Sequence, residues 1–168
     1  MRLLLFCFLF CIACGQEDTP TGLDESGSLK ATISGSERIA PVVFVTMKKS
    51  SAQVANELSF IADFSSTTTG LSFSVSTNNI YGALQKGEFV AKGNNPAVSP
   101  VYFYYFLSDG LGAFTSTSVA EEVAGTVTIT ELDIVNKTVS GTFDANVKRG
   151  TETIRLTKGS FTRLKYTE

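Results

Sequence analysis

Few side chains in this sequence are equipped for chemistry, and they are unevenly placed. All three cysteines, Cys7, Cys11 and Cys14, fall within the first fourteen residues, MRLLLFCFLFCIAC. A thiol can be acylated, oxidised or bound to a metal. Histidine is absent from all 168 residues, which removes the side chain best suited to proton transfer near neutral pH and the commonest metal ligand. Nucleophilic catalysis of the Ser-His-Asp or Cys-His type therefore has no base. Two carboxylates alone can hydrolyse glycosides; Asp63, Asp109, Glu121, Glu122, Asp133 and Asp144 are available, but no spacing pairs them. No Gly-x-Ser-x-Gly elbow or phosphate loop occurs, and Gly110-Leu111-Gly112 is too short for a dinucleotide fingerprint. Asp109-Gly110 and Asn94-Asn95 lack the dense Asp/Asn alternation of a calcium loop and read as turns. The expectation is a protein that is not an enzyme and that carries no metal or cofactor.

The cysteines have another use. Arg2 precedes an apolar run from Leu3 to Ala13, and the polar stretch GQEDTPTG follows it. That run is about half of the ~20 residues a spanning helix needs, so it reads as a cleavable export signal. Its end, Cys11-Ile12-Ala13-Cys14, resembles the lipobox of bacterial lipoproteins, with Cys11 where leucine is usual. Cleavage requires a small residue before the cut; Phe6 and Phe10 disqualify Cys7 and Cys11, whereas Ala13 precedes Cys14. An ordinary secreted protein cut at the same place would carry Cys14 as a lone thiol in an oxidising compartment. Lipidation of Cys14 is the favoured reading. Each buried methylene contributes about 0.8 kcal/mol, so two or three acyl chains hold firmly.

Residues 1–13 are thus expected to be a lipoprotein signal peptide, 14–28 the lipidated cysteine and a flexible tether, and 29–168 a single β domain. The tether is acidic and rich in Gly, Ser, Thr and Pro, without apolar period. Its Gln16-Glu17-Asp18 cluster resembles the acidic signals that direct some lipoproteins to the cell surface, and a solvated linker would look the same. About 140 remaining residues suffice for a core without staples. A net charge of −2 with no basic patch argues against nucleic acid as a partner. Thirteen Phe, five Tyr and many Ser and Thr favour strands over helices.

The strands are legible as short runs between turn signals. Leu58, Phe60, Ala62 and Phe64 alternate with Ser59, Ile61 and Asp63; Leu71, Phe73 and Val75 alternate with Ser72, Ser74 and Ser76. Period two of this kind marks a sheet with one wet face. Val127 and Ile129 stand opposite Thr126, Thr128 and Thr130; after a turn at Asp133–Lys137, Val139, Gly141, Phe143, Ala145 and Val147 line one face. Further strands are expected at 29–34, 39–47 with Pro41 at its start or edge, 81–90, 113–119, 153–158 and, after a break at Gly159, 160–166. A turn of helix is plausible at 50–58. The sum is an all-β fold of about ten strands, an antiparallel β-sandwich or meander β-barrel.

The segment VYFYYFL, Val101 to Leu107, is apolar or aromatic on both faces. As a strand it places Tyr102, Tyr104 and Phe106 on one side and Phe103, Tyr105 and Leu107 on the other. Such a row could stack on sugar rings or line an apolar pocket. The favoured reading is plainer: a central strand covered on both sides, with tyrosine hydroxyls at the rim.

The wording GTVTIT at 125–130, VSGTF at 139–143 and IRLTKGSF at 154–161, together with the lipobox, is similar to small uncharacterised β-rich lipoproteins of the Bacteroidota. The likeness is close over 125–166 and extends in outline over 29–166; an early tryptophan expected of the family is missing. Membership implies an all-β fold and attachment to the cell envelope, and implies no activity. The reading that follows is an outer-membrane lipoprotein held by its lipid anchor at Cys14, on the periplasmic face or the cell surface. Its β domain is expected to have a structural or protein-interaction role. The alternative is a small-ligand binding protein, for a glycan or an apolar molecule, using the barrel mouth or Tyr102, Tyr104 and Phe106.

Overall fold

Successive side chains of a strand point to opposite faces, so a chain patterned with period two must form a sheet with one dry side. The structure, a computed structural model, describes residues 27–49, 55–64, 69–77 and 83–168. Within them run eleven strands: β1 (Ser28–Ile33), β2 (Ser36–Ala40), β3 (Val42–Lys49), β4 (Ala55–Asp63), β5 (Gly70–Ser76), β6 (Gly87–Lys92), β7 (Val101–Phe106), β8 (Phe114–Thr115), β9 (Val123–Asp133), β10 (Thr138–Arg149) and β11 (Glu152–Lys165). Short 3-10 turns occupy Pro96–Val98 and Ser116–Ser118.

The strands pair antiparallel in the order β2-β1-β11-β10-β8-β7-β5-β4-β3, and β9 pairs with both β10 and β6. The two ends of this path, β2 and β3, are consecutive in sequence with Pro41 alone between them. Proline has no N–H for the ladder and a fixed φ, so the run leaves β1 there and joins β4. The two edges of the sheet are thereby drawn together. The seam is latched by residues after β11: the Met47 amide donates to the Thr167 carbonyl at 2.7 Å, and the Thr167 amide donates to the Val45 carbonyl at 3.0 Å. Lys49 Nζ meets Glu168 Oε2 at 2.6 Å beside it. The result is a nearly closed, barrel-like sheet.

Phenylalanine fills the inside. Phe73 of β5 stacks on Phe60 of β4 at 4.3 Å between centroids, with 10° between the ring planes. It also meets Phe143 at 5.0 Å, Phe103 at 5.5 Å and Phe161 at 6.1 Å. Since β10 and β11 do not neighbour β5, the rings of Phe143 and Phe161 tie one side of the barrel to the other.

Two glycines make room for those rings. Gly159 is the cross-strand partner of Phe143, and Gly141 that of Phe161. A Cβ at Gly159 would lie 2.6 Å from the Phe143 ring; one at Gly141 would strike the Phe161 ring and the Thr128 carbonyl. Gly159 therefore does not break the chain, as its residue type suggested, and β11 runs unbroken for 14 residues. It bends instead through bulges, where register shifts accompany Lys158 at φ 51 and Arg163 at φ 47.

Other boundaries also moved. The expected strand 39–47 is divided at Pro41. The run 113–119 keeps two ladder residues, Phe114 and Thr115, before turning. The strand expected from Tyr81 begins at Gly87, and residues 55–58 are extended rather than helical. Ser50 to Val54 and Asn78 to Gly82 lie outside the described residues, as do the signal peptide, Cys14 and most of the tether.

Candidate functional site: an aromatic and hydroxyl wall

The inward residues of β3, β4, β5 and β7 include Val45, Met47, Leu58, Phe60, Leu71, Phe73, Val101, Phe103 and Tyr105, all buried. Alternation then forces their neighbours outward. Cross-strand register aligns these outer residues in rows: Phe44, Ile61, Ser72 and Tyr104 form one, and Thr46, Ser59, Ser74 and Tyr102 the next. Strands lie about 4.8 Å apart, and same-face residues along one strand about 7 Å. The outer side chains of β5 are small, Gly70, Ser72, Ser74 and Ser76, so this strand forms a trough. The β7 rings border it on one side; Ile61 and Phe44 rise on the other.

Tyr104 is 37% exposed and Phe106 43% exposed, while Tyr102 is half-buried. The segment Val101–Phe106 is therefore covered on its inner face alone. This corrects the expectation of a strand buried on both sides. That expectation failed because VYFYYF is apolar throughout, and such a run carries no period that reveals its wet face. The rows that contain Tyr102 and Tyr104 hold no formal charge between β3 and β7. Charge enters at the lower margin, where Lys48 Nζ pairs with Glu57 Oε1 at 3.2 Å and Ser59 Oγ donates to Glu57 at 3.1 Å. Asp63 marks the upper margin, in register with Gly70 and thence with Phe106.

Asp109, Asp133, Asp144 and Glu122 have structural occupations. Asp109 receives the Arg149 guanidinium, with contacts at 2.8 and 3.1 Å, and accepts from the Leu111 amide at 3.0 Å. These contacts hold its carboxyl below the usual range, the Arg149 hydrogen bond most of all. Arg149 in turn lies 4.2 Å above the Phe114 ring and pins the loop after β7 to the β10–β11 hairpin. Asp133 Oδ1 accepts from the amides of Val135 and Asn136 at 2.9 Å each, and Asn136 Nδ2 donates to Oδ2 at 2.7 Å. Bonds from Asn136 lower its pKa first, then that from Val135. Asp144 accepts from Thr126 at 2.7 Å, and Glu122 pairs with Lys92 at 3.3 Å. Glu121 borders a shallow cleft of about 370 Å³ with Lys148 and Arg155. Among the described residues no group of three His, Cys, Asp or Glu side chains is placed to hold a metal ion.

Of the residues singled out from sequence, Tyr102, Tyr104 and Phe106 are brought together on the wall, and Cys14 lies outside the described residues. Sequence reasoning missed Phe44 and the serine trough as parts of the same surface. Alternation already placed Ile61 and Ser72 outward, but register with β7 could not be known. Comparisons of the chain with protein-family models, with curated proteins and with solved structures return no match.

Proposed function

We propose that this protein is a bacterial envelope lipoprotein, tethered to the outer membrane through Cys14, whose β domain binds rather than catalyses. Its binding surface is the outer wall of β3, β4, β5 and β7, and the ligand class that suits it best is a neutral glycan chain. One observation carries this reading: exposed rings stand beside a ladder of hydroxyls on a wall whose middle rows are uncharged. A pyranose offers an apolar face of C–H groups and a rim of hydroxyls. Tyrosine and phenylalanine supply flat stacking area, and serine and tyrosine hydroxyls supply adaptable hydrogen bonds. The filled interior turns attention from the barrel mouth to this wall.

A second reading has its own support. Phe44 and Ile61 are directly paired across β3 and β4 and both exposed, an aromatic and aliphatic pair of the sort that anchors protein partners. A glycan array probed with wild type, Tyr104→Ala and Phe106→Ala separates the two. Retention by wild type and loss in both variants at unchanged melting temperature supports the glycan. A blank array, or retention indifferent to both substitutions, assigns the wall to a protein partner. The anchor is tested independently: Cys14→Ala should leave the membrane fraction, and unchanged partitioning into detergent would refute lipidation.

A further inference from the structure

The place where the tether joins the barrel is defined. Gly27 packs so tightly on Arg163 and Leu164 that a Cβ would strike their backbone, and Ser28 is in register with Thr162 of β11. Thr138 of β10 pairs with Lys165 of β11 on one side and with Asp133 of β9 on the other. The start of β1, the end of β11 and the β9–β10 turn are thus side by side at one end of the barrel. At the tip of that turn stand two adjacent branched aliphatic residues, Ile134 at 71% and Val135 at 85% exposure.

Turn tips favour Gly, Asn, Asp and Ser, whose backbone preferences suit them. Here Asp133 and Asn136 already meet that need, the former through the amide bonds described above. The side chains of Ile134 and Val135 add nothing to the turn and present apolar surface to solvent. Lys137 and Lys165, both exposed, flank them.

We propose that this end of the barrel faces the membrane and that the Ile134–Val135 tip docks into the lipid surface in which Cys14 is anchored. The inference rests on the lipoprotein reading. Its geometric support is length. Thirteen residue steps separate Cys14 from Gly27, so the chain between them spans at most about 45 Å whatever its conformation. The twelve residues of β10 carry the opposite end of the barrel about 30 Å farther away, allowing for the tilt of barrel strands. A linker of the Gly/Ser/Thr-rich composition seen here averages only about 20 Å end to end over thirteen residues, less than the length of the barrel, so the end that bears Gly27 and the aliphatic tip is on average the nearer one to the bilayer. A tethered contact forms at high effective concentration, so a tip too small to bind membranes alone still engages. Two signals, acyl chain and inserted tip, hold better than one.

The sequence contains no tryptophan, which allows a clean probe. Val135→Trp and, at the far end beside Asp109, Leu111→Trp are placed singly in the full acylated protein. Each is reconstituted into phosphatidylcholine vesicles that carry spin-labelled lipid, and flotation of the same vesicles reports anchoring. The expected result is blue-shifted, severalfold quenched emission from the Val135→Trp protein, abolished by adding Ile134→Glu, with neither effect for Leu111→Trp. Unquenched emission from both probes in protein that floats overturns the docking and leaves the anchor standing. Quenching of the Leu111→Trp probe instead reverses the orientation and overturns it too. Protein that fails to float overturns the lipoprotein reading and this inference with it.

Discussion

Phe73→Ala is the substitution that most directly tests how the barrel is held together. The ring is 1% exposed and has four phenylalanine neighbours, two of them from strands on the other side of the barrel. Removing a buried phenylalanine ring costs about 3–5 kcal/mol, counting lost transfer energy and the cavity left behind. Each aromatic pair contributes roughly 0.5–1.5 kcal/mol beyond burial. The four pairs share one ring and do not add independently, so the upper part of that range, about 4–5 kcal/mol, is the reasoned value. Domains of this kind have about 5–15 kcal/mol in total. Urea unfolding followed by far-UV circular dichroism should show the midpoint fall with an unchanged slope. A thermal melt should fall by roughly 10–20 °C, at about 2–5 °C for each kcal/mol in a domain of this size. Phe106→Ala removes the same ring chemistry from the wet face of the neighbouring strand and should cost under about 1 kcal/mol. Equal losses for the two would refute the claim that the cross-barrel cluster, rather than ring count, stabilises the fold.

Gly159→Ala should destabilise by about 1–3 kcal/mol through overpacking, because its Cβ meets the Phe143 ring at 2.6 Å. In a double-mutant cycle with Phe143→Leu the two costs should fall short of additive, whereas strict additivity would mean the ring does not cover the glycine. The pH profile of melting follows from the shifted groups. Asp109, Asp133 and Glu168 have pKa values lowered by hydrogen bonds from Arg149, Asn136 and Lys49 respectively. Their contribution is present above the ordinary carboxylate range and is lost as pH falls through their folded-state values. Burial raises Tyr105 and Tyr166, so stability should also fall as pH rises beyond about 10, where the unfolded chain releases those protons first. With no histidine in the chain, melting temperature should be level between about pH 5 and 8, and a step inside that window would contradict this assignment.

The legible parts of the fold are those where one face is wet. In β4, β5, β9 and β10 the alternation of apolar with Ser, Thr or Asp residues gave element and inner face together, and the same residues are buried. The turn at Asp133 was equally plain, since Asp and Asn bond their own following backbone. The parts that were not legible depend on partners distant in sequence. Gly159 signals a break unless a phenylalanine sixteen positions earlier covers it. Pro41 signals an edge, yet it separates two strands at opposite ends of the pairing path, and only long-range pairing decides that. VYFYYF marks a strand but not its wet side, so the wall became visible once β5 and β8 flanked it. The role proposed for Cys14 rests on sequence alone, because it would depend on an enzyme's recognition of a short segment rather than on packing.

The aromatic cluster also explains why the proposed binding surface is placed on the outside. A small barrel either fills its interior with side chains or keeps space for one ligand. Here Phe60, Phe73, Phe103, Phe143 and Phe161 occupy the middle, and Gly141 and Gly159 are given up so that two of the rings fit. Admitting a ligand would displace at least one ring, at a cost comparable to the whole gain expected from a modest binding site. The outer wall has the opposite economy of form. Its β5 side chains are small, so the rings of β7 stand clear of their surroundings, and no rearrangement of the core is needed to reach them. With residue 27 at one end of the barrel, that wall runs along the side, and under the proposed lipid anchor it would remain open to solvent.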